Sequence, residues 1–135
     1  MTMGVSLETV TTWLDNFGKV WRESDAEGAA ALHPAHGVYR NSPFMEKPFE
    51  GTDEIRAFWE RALVGVSEID FRYGVPVIQG DRAAVEWWVT EMNSGEPFTL
   101  AGIFLLTFEG DLVVDFREAF VKQSGKHEPH ENWGV

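Results

Sequence analysis

Glu118 sits in the run Phe116-Arg117-Glu118-Ala119-Phe120, with an aromatic ring two residues away on either side. On an extended strand, residues two apart share a face, so this carboxyl projects within an apolar row. Taking a carboxylate out of water is costly without a partner, and the usual response is a raised pKa. A carboxyl tuned towards neutrality suits general acid–base chemistry. Tyr39 and Asn41, also two apart in Tyr39-Arg40-Asn41, would present a phenol and a carboxamide side by side. Such a pair can orient a water or a substrate oxygen, or it can simply tie a strand end to backbone groups. Glu86, between Val85 and Trp87, is a second carboxyl in an apolar setting. Either glutamate has an ordinary alternative, an ion pair with an arginine or a place at a sheet edge.

The elements that must hold these residues are readable from periodicity. Leu7, Val10, Leu14, Phe17, Val20 and Trp21 recur at helical spacing, predicting a helix from about Ser6 to Glu23. Asp25 is placed to cap a short second helix ending near Leu32, and Thr52 to cap a third that buries Ile55, Phe58, Trp59, Ala62 and Leu63. A short strand is expected over about 38–44. From residue 69 the period changes to two, with strands near 69–78, 82–92, 98–108 and 112–122 separated by turn-forming "QGD", "NSGEP" and "EGD". Three helices followed by an antiparallel meander make an α+β domain over 1–125, with 126–135 as a C-terminal tail. Strands this long, with Gly74, Pro76 and Gly102 inside them, should curl and offer a concave face to the helices.

Turn lengths decide which side chains share that face. Three residues in "EGD" pair Phe108 with Leu112, placing Phe104 opposite Phe116, Gly102 opposite Glu118 and Leu100 opposite Phe120. Counting through "NSGEP" pairs Met92 with Phe98, Trp88 with Gly102 and Glu86 with Phe104. Glu86 and Glu118 then share the concave face, with backbones ~10 Å apart. The walls of the cavity would come from Phe17, Phe58, Trp88, Leu100, Phe104, Phe116 and Phe120.

Composition limits the partners. The 135 residues carry a net charge of −11 without a Lys/Arg cluster, which disfavours nucleic acid. There is no cysteine, and no apolar run approaches a membrane span, so a cytoplasmic protein with no membrane partner is expected. His33 with His36, and His127 with His130, have the spacing of zinc ligands, but each pair lies beside or around a proline in irregular chain. Neither a metal nor another cofactor is therefore expected.

"ALHPAHGVYRNSPF", "FEGTDEIRAFWERAL" and the stretch from "AVEWW" to "DFREAFV" resemble the nuclear transport factor 2-like superfamily, in its SnoaL-like branch. The resemblance covers nearly the whole chain and implies a cone-shaped α+β barrel, three N-terminal helices packed on a strongly curved, mainly antiparallel sheet. The superfamily includes isomerases, cyclases, dehydratases, hydrolases and non-catalytic adaptors. Within it, Tyr39-Arg40-Asn41 and Phe116-Arg117-Glu118-Ala119-Phe120 resemble the water-holding pattern of limonene-epoxide-hydrolase-like proteins, with Glu118 in the acid's place. That pattern has an Arg-x-Asp pair on its third strand, where this chain has "AVEWW", and Glu86 stands for the acid without an arginine. The ketosteroid isomerase pattern fits less well, its catalytic acid and tyrosine falling near Ser42 and Phe17. A polyketide-cyclase-like role would use a pocket acid such as Glu118.

Two readings follow. In one, a small hydrophobic substrate undergoes cofactor-free acid–base chemistry at Tyr39, Asn41, Glu86 and Glu118. In the other, the domain is a non-catalytic ligand-binding or dimerisation module. A homodimer is expected through a convex sheet face bearing Val85, Trp87, Val89, Ile103 and Leu105. Trp133, the sole bulky aromatic after Phe120, should dock the tail on the body or on a partner subunit.

Overall fold

In the computed structural model, which describes residues 4–135, Ser6 accepts a hydrogen bond from the Thr9 N–H at 3.1 Å and so starts α1 (Leu7–Arg22). The buried stripe of α1 is Val10, Trp13, Leu14, Phe17 and Val20. Asp25 caps α2 (Ala26–Ala30) by accepting from the Gly28 N–H at 2.8 Å. The chain then forms β1 (Val38–Arg40) and β2 (Phe49–Glu50), the latter a short strand that periodicity did not reveal. α3 (Gly51–Ala62) follows directly, starting before Thr52. Its N-cap, Glu50, makes no side-chain cap bond; instead the Glu54 carboxylate reaches back to the Glu50 N–H at 3.0 Å.

The meander comprises β3 (Val66–Tyr73), β4 (Val77–Gln79), β5 (Arg82–Asn93), β6 (Glu96–Glu109) and β7 (Leu112–Ser124). The single strand expected over 69–78 is thus two, interrupted at Gly74-Val75-Pro76, where proline has no N–H for the ladder. Strand order is β2-β1-β7-β6-β5-β3, with β4 also pairing to β5. β1 runs parallel to β7, and the remaining pairs are antiparallel. The sheet is therefore mixed and mostly antiparallel, a cone-like curved surface with free edges rather than a closed barrel. The helices lie against its concave side.

Both long hairpins turn through two residues, not the longer loops inferred from sequence. Asn93 pairs with Glu96 around Ser94-Gly95, and Glu109 pairs with Leu112 around Gly110-Asp111. In the β6–β7 hairpin a bulge between Thr107 and Phe108 shifts the register once more. The two one-residue changes cancel in parity, so Glu118 keeps its concave position but stands opposite Phe104, while Gly102 stands opposite Phe120. No bulge intervenes between β5 and β6. Val85 pairs with Phe104 and Trp87 with Gly102, so Val85, Trp87 and Val89 turn inward and are buried. Glu86 and Trp88 consequently face outward, the reverse of the sequence reading, because an odd change in turn length, here from five residues to two, moves the register by one and inverts a whole strand. Of the five apolar residues expected on the convex face, Ile103 and Leu105 remain there.

The last residues fold back as a strap across the outside of β5. The Trp88 indole N–H donates to the His127 carbonyl at 2.9 Å, and Trp133 meets Trp88 edge-on at 6.0 Å. Arg72 pairs with Glu128 at 3.0 Å, and the Val75 N–H donates to the Gly134 carbonyl at 2.7 Å. Among the described residues, no helix is long and apolar enough to cross a membrane.

Candidate active site

β1 and β7 bring the two sequence motifs together. They run parallel, with Tyr39 beside Phe116 and Arg40 beside Arg117. The Tyr39 ring stacks on Phe116 with centroids 4.0 Å apart and planes 6° from parallel. Asn41 follows directly after β1. Tyr39, Asn41 and Glu118 all line a half-open cavity of about 480 Å³ between α1, α3 and the concave sheet. That volume suits a small organic ligand.

Glu118 is enclosed by protein yet accessible from the cavity. Burial raises its carboxyl pKa from 4.5 to about 8, because the charged form has lost its water. At neutral pH the group holds a proton that it can give up without great cost, the state from which an acid or a base can work. Burial also pushes the Tyr39 phenol well above its usual 10.0, and the nearby Glu118 charge adds to the shift. Tyr39 therefore stays protonated and is a hydrogen-bond donor throughout the physiological range.

The apolar wall is built partly from expected residues. Phe17, Phe58, Leu100 and Phe120 line the cavity. Phe104 and Phe116 do not reach it; both are wholly buried beneath it, where Phe104 stacks against Trp87 at 5.1 Å and Phe116 against Tyr39. Trp88 lies outside under the strap, and its place in the wall is taken by Trp87. Trp21 and Trp59 also line the space, although sequence reasoning assigned them only to helix packing. Buried Trp59 and Trp87 each have an indole N–H without a protein partner.

Glu86, on the outer face, is not among the cavity residues. The inward acid of β5 is Glu91, 6% exposed, whose pKa is raised by burial and partly restored by Lys122 and by the Asn93 amide at 3.4 Å. Glu91, Asn93, Lys122 and Arg61 lie along the cavity lining but were not singled out from sequence. Correct parity for β5 would have revealed Glu91; Arg61 and Lys122 carry no sequence signal that separates them from other surface cations.

A wider groove of about 630 Å³ borders Glu118 from the outer side, with Arg40, Met45, Ile103, Leu105, Arg117 and Ala119 in its lining. It lacks the aromatic wall. The histidines play other parts: His33 is buried and donates through Nδ1 to the Val113 carbonyl at 2.8 Å, and exposed His36 meets Glu109 at 3.0 Å.

Against known proteins, a SnoaL-like domain model matches residues 11–116. A limonene-epoxide-hydrolase-like epoxide hydrolase from Mycobacterium tuberculosis superposes with a TM-score of 0.69 at 12% identity, covering 85% of this chain and 84% of that one. A protein with a ketosteroid isomerase-like fold from Catenulispora acidiphila, solved with trimethylamine, gives 0.70 at 17% identity over 85% and 86% of the two chains. Rv0760c from M. tuberculosis gives 0.74 at 14% identity over 90% and 99%. At these identities the likeness is one of fold. No functionally curated protein matches by sequence.

Proposed function

Because the chain belongs to the SnoaL-like domain family, we propose that its cavity binds a small hydrophobic molecule and acts on it by cofactor-free acid–base chemistry, with Glu118 as the proton-transferring group. The observation that carries this reading is a carboxyl with its pKa raised to about 8, opening onto an aromatic-walled cavity beside Tyr39 and Asn41. In the reaction, the carboxylate form of Glu118, the minor form at neutral pH and the main one above about 8, takes a proton from an activated C–H or from a water and returns it to the product. Tyr39 donates to the substrate oxygen on which charge develops, and Asn41 orients that oxygen or the water. Phe17, Phe58, Leu100 and Phe120 hold the apolar body of the substrate.

Epoxide hydrolysis by the limonene-epoxide-hydrolase pattern is not the favoured reaction. That pattern calls for an Arg-x-Asp pair on the third strand, and here Glu86 faces away while Trp87 fills the inward position. Proton transfer next to a carbonyl, as in an isomerisation or cyclisation, needs a single carboxyl with an oxygen donor and suits the residues present. The same lack of a second acid beside Glu118 favours the alternative, a ligand-binding module without turnover.

The test is hydrogen–deuterium exchange, followed by NMR, at the acidic C–H groups of a panel of hydrophobic ketones. Wild type should accelerate exchange on some members with a pH dependence inflecting near 8, and Glu118→Gln should abolish the acceleration. Binding without exchange across the panel would select the non-catalytic module, and equal exchange by the variant would remove Glu118 from the mechanism. The protein is further proposed to be a homodimer, joined through the outer face of β6 and β7, where Ile103 is 53% and Val121 73% exposed.

A further inference from the structure

The cavity has polar groups at two separated places. Across β6–β7, Glu118 pairs with Phe104 and Lys122 with Leu100, whereas Glu91 pairs with Phe98 across β5–β6. Along the strands, Lys122 is therefore ~13 Å and Glu91 ~20 Å from the level of Glu118. Between these levels the lining is apolar, with Trp87, Leu100 and Phe120 on the sheet side and Phe58 on the helix side. A space of this form fits an elongated ligand better than a compact one.

Four charged side chains line the cavity: Arg61, Glu91, Glu118 and Lys122. Burial raises the pKa of both acids, Glu118 to about 8, while Lys122 and Asn93 draw Glu91 back, so the cations face fewer full negative charges here than on the surface of a protein that carries −11. Neither cation enters an ion pair among the described residues. The Lys122 ammonium lies 4.4 Å from the Phe98 ring centroid, and the Arg61 guanidinium 5.8 Å from that of Phe49. Resting on ring faces keeps both near apolar surface, and Glu91 is the one carboxylate that acts on Lys122, across a distance too long for an ion pair.

We propose that the cavity selects an elongated apolar carboxylic acid, its carboxylate held by Lys122 and Arg61 at the outer end and its chain running along Trp87, Leu100 and Phe120 towards Glu118. This rests on the reading that the cavity takes a small hydrophobic molecule, and it fixes which part of that molecule meets Glu118: the end remote from the carboxylate. Asn93, two residues along β5 from Glu91, adds an amide to the lining. An amine of the same length would meet the like charge of Lys122 there, and an alcohol would forgo the charge-assisted bond.

The full chain is titrated with dodecanoate, dodecanol and dodecylamine below their aggregation concentrations, following tryptophan fluorescence, since Trp21, Trp59 and Trp87 line the space. Dodecanoate should bind roughly tenfold more tightly than either analogue, the effect of one charge-assisted hydrogen bond. Lys122→Met, and more strongly the double change with Arg61→Met, should remove that preference, bringing dodecanoate down to the affinity of dodecanol for the same variant; Lys122→Arg should keep it. Glu118→Gln should retain the preference, which separates the head-group site from the proton-transfer group. Equal or tighter binding of the amine or alcohol, or a preference that survives in the double variant, overturns the proposal and leaves the cavity reading intact. Failure of all three probes to bind overturns both.

Discussion

Glu118 and His33 are buried titratable groups whose ionisation pulls stability in opposite directions with pH. Glu118 has a folded pKa of about 8 against 4.5 in an unfolded chain, so the folded protein keeps a proton that the unfolded one has released. Its contribution is complete below pH 4.5 and is lost as pH rises to about 8. Glutamine does not titrate, so the stability of Glu118→Gln relative to wild type should improve by on the order of 1–3 kcal/mol across that window. Urea midpoints at its two ends measure this, and a difference that stays constant with pH would show that Glu118 is charged and paired in the fold. His33 is held down to about 4 from 6.5, chiefly by burial, with the Val113 carbonyl opposing the shift. Here the unfolded chain gains the proton first, so stability is complete above pH 6.5 and falls as pH drops towards 4. In His33→Gln that acid-side loss should be smaller than in wild type, again by on the order of 1 kcal/mol or more.

The β6–β7 hairpin depends on one residue being glycine. A Cβ added at Gly102 would overlap the Ala119 carbonyl oxygen and lie 2.6 Å from the Phe120 Cβ. Its neighbours there are backbone and a Cβ, which cannot swing aside as the end of a long side chain can. Gly102→Ala should therefore cost about 1–3 kcal/mol through overpacking, measured as a lowered thermal midpoint. Because Gly102 lies opposite Phe120, the same change should also disturb the cavity wall and weaken ligand binding. The strap makes a different expectation. Trp133→Ala removes the edge-on contact with Trp88 and should cost about 1–2 kcal/mol, with faster amide exchange confined to the last ten residues and the Gly74–Pro76 connection. Unchanged exchange in this variant would mean that the backbone bonds from Val75 and Trp88 hold the strap without the ring.

At the scale of the whole molecule, the outer surface of β6 and β7 combines exposed Ile103 and Val121 with the groove that contains Arg40 and Arg117. The strap covers the neighbouring outer surface of β5, so a second copy would approach on the β6–β7 side. Sedimentation at micromolar concentration should give a dimer, and Ile103→Glu with Val121→Glu should give a folded monomer. A wild-type monomer would remove the dimer proposal. Since neither residue lines the aromatic-walled cavity, ligand binding by that monomer should change little.

Local signals were enough for the class of fold and for the order of the helices and long strands, though not for β2 or the break between β3 and β4. Asp25 as a cap, the helical spacing from Val10 to Val20, and the period-two runs each depend on neighbours a few residues away, whereas Thr52, the other expected cap, lies inside α3. The approach of Tyr39 and Asn41 to Glu118 was legible only through family resemblance, since parallel pairing of β1 with β7 joins segments far apart in the chain. Facing was decided by tertiary structure, because it depends on counting through turns. A β5–β6 turn of two residues in place of the five expected, an odd difference, moved Glu86 and Trp88 outside and brought Trp87 and Glu91 in. In β6–β7 the same kind of difference was cancelled by a bulge that no residue type announced, and Glu118 stayed inside. Side-chain alternation has a period of two, so sequence determines which residues share a face within a strand, while hydrogen-bond register between strands determines which face looks into the cavity.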